Sequence, residues 1–226
     1  MRLPLLLLVL FLALCAAPAA TAAPRELAPG IALDAEARTV DLTGTVVGRD
    51  VDWLELVACT PGSREHESLV TVDAAPSMIH LALLTLGLEP GRPLHRDGDW
   101  RIDPDAPLVA PTGPPVTLWF IVGDAEPVPA IRWVEGAADG NQNIWLFTGS
   151  EFRTWRGREE FLADLNGTVA SLVSFGDDLL ARPSTLTDTT DQQQFRPSRA
   201  AMPENGTPIT LRIRVPDAGV PAERPG

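Results

Sequence analysis

Apolar and polar residues alternate along several short segments of this chain, which is the pattern of β-strands with one buried face. Residues 208–215 show it most clearly, because four apolar side chains there point the same way: Ile209, Leu211, Ile213 and Val215. Residues 39–47 alternate in the same manner, and residues 168–175 also predict a strand. Residues 116–122 are continuously apolar, which predicts a strand in the middle of a sheet.

One segment has the spacing of a helix instead. Between residues 76 and 86 apolar side chains recur every three or four positions, at Met78, Ile79, Ala82, Leu83 and Leu86. A proline suits the first turn of a helix and a glycine suits its end, and residues 76 and 87 are a proline and a glycine. The pattern predicts one principal helix, with His80 at its edge or exposed.

The segment before this helix predicts a hairpin. Residues 52–59 form a short apolar run, and the Pro-Gly pair within residues 60–63 is typical of a tight turn. Residues 64–72 would form the returning strand, with His66 and Glu67 on opposite faces. Such a hairpin would place Val57 or Cys59 close to His66.

These elements together predict an α+β fold, a mainly antiparallel β-sheet with one principal helix packed on it. A single domain would cover residues 31–216, and the Pro-rich residues 217–226 would form a disordered tail.

The aspartates in residues 97–105 do not have the spacing of a calcium-binding EF-hand loop, so they are interpreted as turn residues.

Two neighbouring stretches resemble a known family. ACTPGSREHESL, starting at Ala58, and APSMIHLALLTLGLEPG, starting at Ala75, are similar to the start of the YdjY domain, found in bacterial secreted proteins with a Cys–Gly–basic–His–Glu–Ser signature. The likeness continues in LFTGSEF, FLADLNGTVASLVSF and MPENGTPITLRIRVP. The resemblance implies no catalytic residues. Some members are described as ferredoxin-like, but an iron–sulfur cluster needs about four thiolates and one cysteine remains after processing.

The first residues predict export. Residues 1–23 contain one arginine, an apolar core at 3–14 and small residues at 20–22, the features of a secretory signal peptide. The core is shorter than the ~20 residues that span a bilayer, and no other segment has the character of a transmembrane span. A lipid anchor at Cys15 competes, although Leu14 precedes that cysteine where a small residue is preferred. The expected location is periplasmic or secreted.

The net charge of −12 excludes two classes of partner. An acidic chain is repelled by nucleic acid and by anionic membranes, so neither is an expected partner. A protein partner at an exposed sheet edge remains open.

The candidate chemistry centres on Cys59, the single cysteine of the exported chain. A thiol beside an imidazole can act as a nucleophile or as a soft metal ligand, so Cys59 and His66 could bind zinc or copper. Arg64, Glu67 and His80 complete the candidate site. The alternative is that Cys59 is a small buried hydrophobic residue and His66 a histidine bonded to the backbone, with no cofactor. The sequence names no reaction; it favours a binding or structural module over a metal-binding or thiol-dependent enzyme.

Overall fold

The computed structural model of the chain describes residues 24–98, 105–136, 142–187 and 195–216. The predicted signal peptide at residues 1–23, the predicted tail at residues 217–226 and most of the acidic loop at 97–105 lie outside these residues.

Short strands make up most of the described chain. In order they are β1 Arg25–Ala28, β2 Ile31–Asp34, β3 Thr39–Val46, β4 Leu56–Cys59, β5 Ser68–Val72, β6 His95–Arg96, β7 Leu108–Val109, β8 Pro115–Ile121, β9 Val128–Pro129, β10 Val134–Glu135, β11 Trp145–Phe147, β12 Phe152–Trp155, β13 Arg158–Phe161, β14 Thr168–Ser171, β15 Leu180–Ala181, β16 Arg196–Pro197 and β17 Pro208–Arg214. Two α-helices, α1 Pro76–Thr85 and α2 Leu162–Asn166, and two 3₁₀ helices, Glu65–Glu67 and Ala130–Trp133, connect them.

Eight of the strands close into a barrel. Their order is β3-β17-β8-β11-β15-β14-β4-β5, and β5 pairs back with β3. Two strands pair with the same edge of β3, because β2 pairs with its first half and β5 with its second half. Two of the barrel pairs, β4 with β5 and β14 with β15, are parallel.

The predicted α+β class, a mainly antiparallel sheet with one principal helix, is therefore wrong. The described chain is mostly β, with a closed barrel and two small helices. Closure depends on pairing between strands far apart in the sequence, such as β3 with β17. Alternation within one strand reports which face is buried, but it carries no information about which strand lies beside it.

The predictions for the longest strands are confirmed. β17, β8 and β3 lie side by side, and their alternate residues fill the barrel interior with Leu42, Leu118, Phe120, Leu211 and Ile213. The outward residues between them are partly exposed, so the pattern of buried and exposed positions has the two-residue period of the sequence.

The predicted hairpin at residues 52–72 is wrong. β4 and β5 run parallel, with Leu56 beside Ser68 and Cys59 beside Thr71. The Pro-Gly turn exists, but it is followed by the 3₁₀ helix Glu65–Glu67, which returns the chain to the start of β4 before β5 begins. The predicted strand at 64–72 thus begins only at Ser68.

The predicted helix is confirmed as α1, which ends one residue earlier than expected. Its buried side includes Ile79, Ala82 and Leu83, whereas Leu81 and Leu84 are exposed. α1 contacts α2 through a hydrogen bond from the Ser77 backbone N–H to Asp164 Oδ1, 2.7 Å long. Within the described ranges, no helix has the length and apolar character needed to cross a membrane.

Candidate functional site

The loop that follows Cys59, residues 60–67 and here called the Cys59 loop, folds over the end of β4. Gly62 has a φ of +79°, the left-handed conformation that glycine adopts without strain. Ser63 Oγ donates to the Thr60 carbonyl over 2.6 Å, and Ser68 Oγ donates to the Arg64 carbonyl over 2.7 Å. The first bond closes the turn within the loop, and the second holds the loop against β5.

Cys59 itself is completely buried beneath this loop. Burial raises the pKa of its thiol, because the charged thiolate loses solvation. Hydrogen bonds with Ser68, Ser63 and the backbone of Arg64 act in the opposite direction but are weaker than burial. The thiol is therefore held in its neutral form, with polar groups around the sulfur.

Arg64 and Glu67 form a pair within the loop. Arg64 Nη1 donates to Glu67 Oε1 over 3.1 Å, and the Arg64 guanidinium lies 4.0 Å from the centre of the Phe175 ring. Glu67 is 8% exposed. An ion pair combined with a cation–π contact fixes both side chains, so the charge of this partly buried arginine is satisfied within the protein's own structure.

His66 lies at the solvent-exposed side of this pair. Its side chain is 70% exposed, and its Nε2 lies 3.7 Å from Glu67 Oε2. The sequence placed His66 beside Cys59 through a hairpin that does not form. The groups that contact the sulfur are hydroxyls and a backbone amide, and the pairing of Cys59 with His66 as zinc or copper ligands stays a prediction.

His80 lies on α1 and contacts two aromatic rings. Its ring centre is 5.1 Å from that of Phe147 and 5.5 Å from that of Phe161, both edge-on. Burial lowers the pKa of its imidazole, and a hydrogen bond with the Gly149 backbone partly offsets this. His80 is thus only partly exposed and packs against aromatic side chains.

Sequence reasoning missed two buried carboxyls, Asp177 and Asp178. Asp178 accepts hydrogen bonds from Ser174 Oγ and from the backbone N–H groups of Phe175 and Gly176. Burial raises the pKa of Asp178 to about 6, and these hydrogen bonds only partly counter the shift. The signal available in the sequence was a pair of acids between two apolar runs, SLVSFG and LLA.

Asp177 connects this loop to the Cys59 loop through Asn166. Asn166 Nδ2 donates to Asp177 Oδ2, and the next residue, Gly167, accepts the Thr60 N–H over 3.0 Å. Gly167 has a φ of +73°, and a Cβ there would collide with the side chains of Ser63 and Thr60. Three separate stretches of the chain therefore meet at this glycine or beside it.

Four segments that carry the family resemblance converge here. The Cys59 loop contacts Gly167, α1 contacts α2, and Ser150 Oγ donates to the Asp177 carbonyl over 2.6 Å while accepting the Ala163 N–H. Among the described residues there is no group of three or more His, Cys, Asp or Glu side chains arranged to hold a metal ion. The cluster links the loops of the barrel to one another through hydrogen bonds, several of them partly buried.

The fold and this cluster define the class: a small closed β-barrel whose connecting loops are tied together by buried polar side chains. The family model of the YdjY domain matches residues 31–214, and the chain belongs to the YdjY domain family. The resemblance seen in the sequence is confirmed. Neither the curated proteins nor the solved structures contain a match to the chain.

Proposed function

We propose that this chain is an exported binding domain that recognises an extended, acidic and apolar segment of a partner protein. The observation that carries the proposal is the position of its exposed apolar side chains. Among the described residues, six large apolar side chains are exposed, and four of them lie on α1, β12 and α2: Leu81, Leu84, Phe152 and Leu165, 42–67% exposed. We call these four residues the apolar ridge.

The three elements that carry the apolar ridge are joined through Phe161 of β13 and the start of α2. The ring centres of Phe152 and Phe161 are 5.0 Å apart, and Phe161 also contacts His80 of α1. The Leu162 N–H at the start of α2 bonds to the Glu151 carbonyl over 2.9 Å. Contiguous exposed apolar side chains are typical of interaction surfaces, whereas isolated ones are ordinary.

The hairpin of β12 and β13 lies beside the ridge, and we call it the arm; its edges and charges support the choice of partner. β12 and β13 form a two-stranded sheet of their own, so each has an edge whose backbone groups can pair with an added strand. The arm, residues 152–161, contains three arginines and two glutamates and so carries a net charge of +1, in a chain with a net charge of −12. An extended partner segment with apolar and acidic side chains would complement both the ridge and the arm.

The test is selection of twelve-residue peptides displayed on phage against the protein purified from the exported fraction. We expect enriched peptides to alternate apolar and acidic residues and to bind the variant Phe152→Asp/Leu165→Asp at least about tenfold more weakly. The matched control is Leu108→Asp/Val128→Asp, which changes two exposed apolar residues outside the ridge and should bind normally.

Equal binding to both double variants, or no enrichment, would refute the proposal. Sedimentation velocity tests whether a second copy of the chain occupies the ridge. A dimer that dissociates in the ridge variant alone would show that a second copy of the chain occupies the ridge, which also contradicts a foreign partner.

Export is the other part of the proposal. The arginine, the apolar core and the small residues within 1–23 support it, and β1 begins at Arg25, so cleavage after residue 22 or 23 would leave the barrel intact. Intact mass of the protein from the exported fraction should give a chain starting at Ala23 or Pro24. A mature chain starting at a lipid-modified Cys15 would refute cleavage by the soluble route, and retention of residues 1–23 in the cytoplasm would refute export.

A further inference from the structure

A second surface of the molecule, lined by none of the residues of the Cys59 loop, forms an open cleft of about 440 Å³. This volume lies within the range of about 300–1,000 Å³ that small-molecule sites occupy. The cleft is lined by two arginines and two acids, Arg196, Arg199, Asp52 and Glu135, with small apolar side chains between them. We call it the charged cleft.

The backbone that forms the cleft is fixed by hydrogen bonds. β10 pairs with β16, which places Glu135 directly beside Arg196 along the strands. The Leu54 N–H bonds to the Phe195 carbonyl over 2.9 Å, and this ties the segment carrying Asp52 to β16. The four charged side chains are therefore presented by elements whose relative positions are set.

Both arginines are oriented without being neutralised. Arg196 Nη1 donates to the Asp52 carbonyl over 2.9 Å, and Arg199 Nε donates to the Arg49 carbonyl over 3.2 Å. Each guanidinium has five N–H donors, so most remain available. Within the described part of the chain neither arginine forms an ion pair, in contrast to Arg64 and Arg212, which pair with Glu67 and Asp41.

The two acids of the cleft are also without an ion-pair partner among the residues that the structure describes. Asp52 and Glu135 are exposed, and neither carboxylate lies within 4.0 Å of a described cationic group. The cleft thus presents unpaired charges of both signs within one space, with Val51 and Pro197 as apolar surface.

We propose that the charged cleft binds a small zwitterion of the short-peptide class. The α-carboxylate would bind Arg196 and Arg199, because a guanidinium fork matches the two oxygens of a carboxylate. The α-ammonium group would lie against Asp52 and Glu135, and the side chains would contact Val51 and Pro197. A purely anionic ligand would bring its charge beside two carboxylates, and a purely cationic one beside two guanidinium groups.

The test is an NMR titration of the full exported protein with alanyl-alanine, its N-acetylated form, its C-terminal amide and free alanine. We expect the unmodified dipeptide to shift the backbone amide signals of Asp52, Glu135 and Arg196. Each capped form should bind at least about tenfold more weakly, since each lacks one of the two charges. Free alanine should bind more weakly than the dipeptide, because it reaches less of the apolar surface.

Matched variants assign the effect to the cleft. Arg196→Gln/Arg199→Gln should weaken dipeptide binding at least about tenfold, whereas Arg25→Gln/Arg92→Gln removes the same charge elsewhere and should leave binding unchanged. Four results would each overturn the proposal. They are capped forms that bind as tightly as the unmodified dipeptide, a loss of binding on C-terminal amidation alone, tighter binding of free alanine than of the dipeptide, and no shift with any of the four compounds. The apolar ridge plays no part in this test, so the two proposals succeed or fail separately.

Discussion

The Cys59 loop and the charged cleft both contain arginines and carboxylates, but these are arranged in opposite ways. In the loop, Arg64 is paired with Glu67 and lies over Phe175, and in the loop that adjoins it Asp178 is buried among hydrogen-bond donors. In the cleft, counting the described residues alone, Arg196 and Arg199 bond only to backbone carbonyls and face acids without an ion-pair partner. Satisfied polar groups stabilise a fold, whereas oriented but unpaired ones are available to a ligand. The comparison indicates a structural role for the first region and a binding role for the second.

The strongest challenge to this comparison is the reactivity of Cys59. A buried, neutral thiol reacts only when the structure opens, so its modification in the native protein should be at least about a thousandfold slower than in urea. The measurement is the rate of reaction with an aromatic disulfide reagent. The control is Thr85→Cys in a Cys59→Ala background, an exposed thiol that should react at once.

Fast native modification of Cys59 would contradict a closed Cys59 loop. Elemental analysis of the same protein tests the metal prediction from the sequence. Stoichiometric zinc or copper that is lost in both Cys59→Ala and His66→Ala would show that the region is a metal-binding site.

The next largest effect is expected at Gly167, where the Cys59 loop contacts α2. Gly167→Ala would strain a positive φ and drive a Cβ into Ser63 and Thr60, so we expect a loss of about 3 to 4 kcal/mol in the free energy of unfolding. Gly62→Ala is the control, because its φ is also positive but no atom lies within 4 Å of the added Cβ, and its cost should be about 1 kcal/mol. Urea denaturation measures both, and equal losses would mean that the contact does not hold the loop.

Asp178 gives the same region a pH dependence. Its pKa rises from 3.8 to about 6 on folding, so between these values the folded state binds more protons than the unfolded state. Stability from this group is therefore greatest below pH 4, falls as the pH rises to about 6 and is constant above, a change of at most about 3 kcal/mol. Asp178→Asn should flatten this slope, while the exposed Asp50→Asn should keep it. A slope unchanged in Asp178→Asn would contradict the assignment.

The smallest expected effects are on the free energy of unfolding when Arg64 or Arg196 is replaced. Arg64→Met removes an ion pair and a cation–π contact and should reduce the free energy of unfolding by about 1 to 2 kcal/mol. Arg196→Met removes one exposed hydrogen bond and should change it by less than about 0.5 kcal/mol. Thermal or urea unfolding of the two variants tests this. An equal loss in both would show that Arg196 is structural, and the comparison between the two regions would then fail.

The sequence predicted the parts of this fold that depend on local pattern. The strands at Thr39–Val46, Pro115–Ile121 and Pro208–Arg214 and the helix at Pro76–Thr85 lie where alternation and helical spacing placed them. It failed at residues 64–67, because the turn residues Pro61 and Gly62 predict a reversal of the chain but not how far the reversal continues. One further 3₁₀ turn converts an antiparallel hairpin into a parallel pair.

The candidate site shows the same limit. Cys59 and Arg64 were among the candidate site residues, but their partners Ser63, Ser68 and Phe175 were not, because these follow from the path of the Cys59 loop. Asp177 and Asp178 were missed because an acidic pair after a glycine usually indicates an exposed turn. Nothing in the spacing of Asp52, Glu135 and Arg196 indicates that they line one cleft.

The sequence by itself determined the family, the identity of the longest strands and of α1, and the apolar residues that fill the barrel. Each of these depends on side chains a few positions apart, or on a run of residue types. The tertiary structure alone decided that the sheet closes, that β4 and β5 are parallel, and which charges are satisfied. These features depend on pairing between distant residues, and a free energy set by such contacts leaves no periodic pattern in the chain.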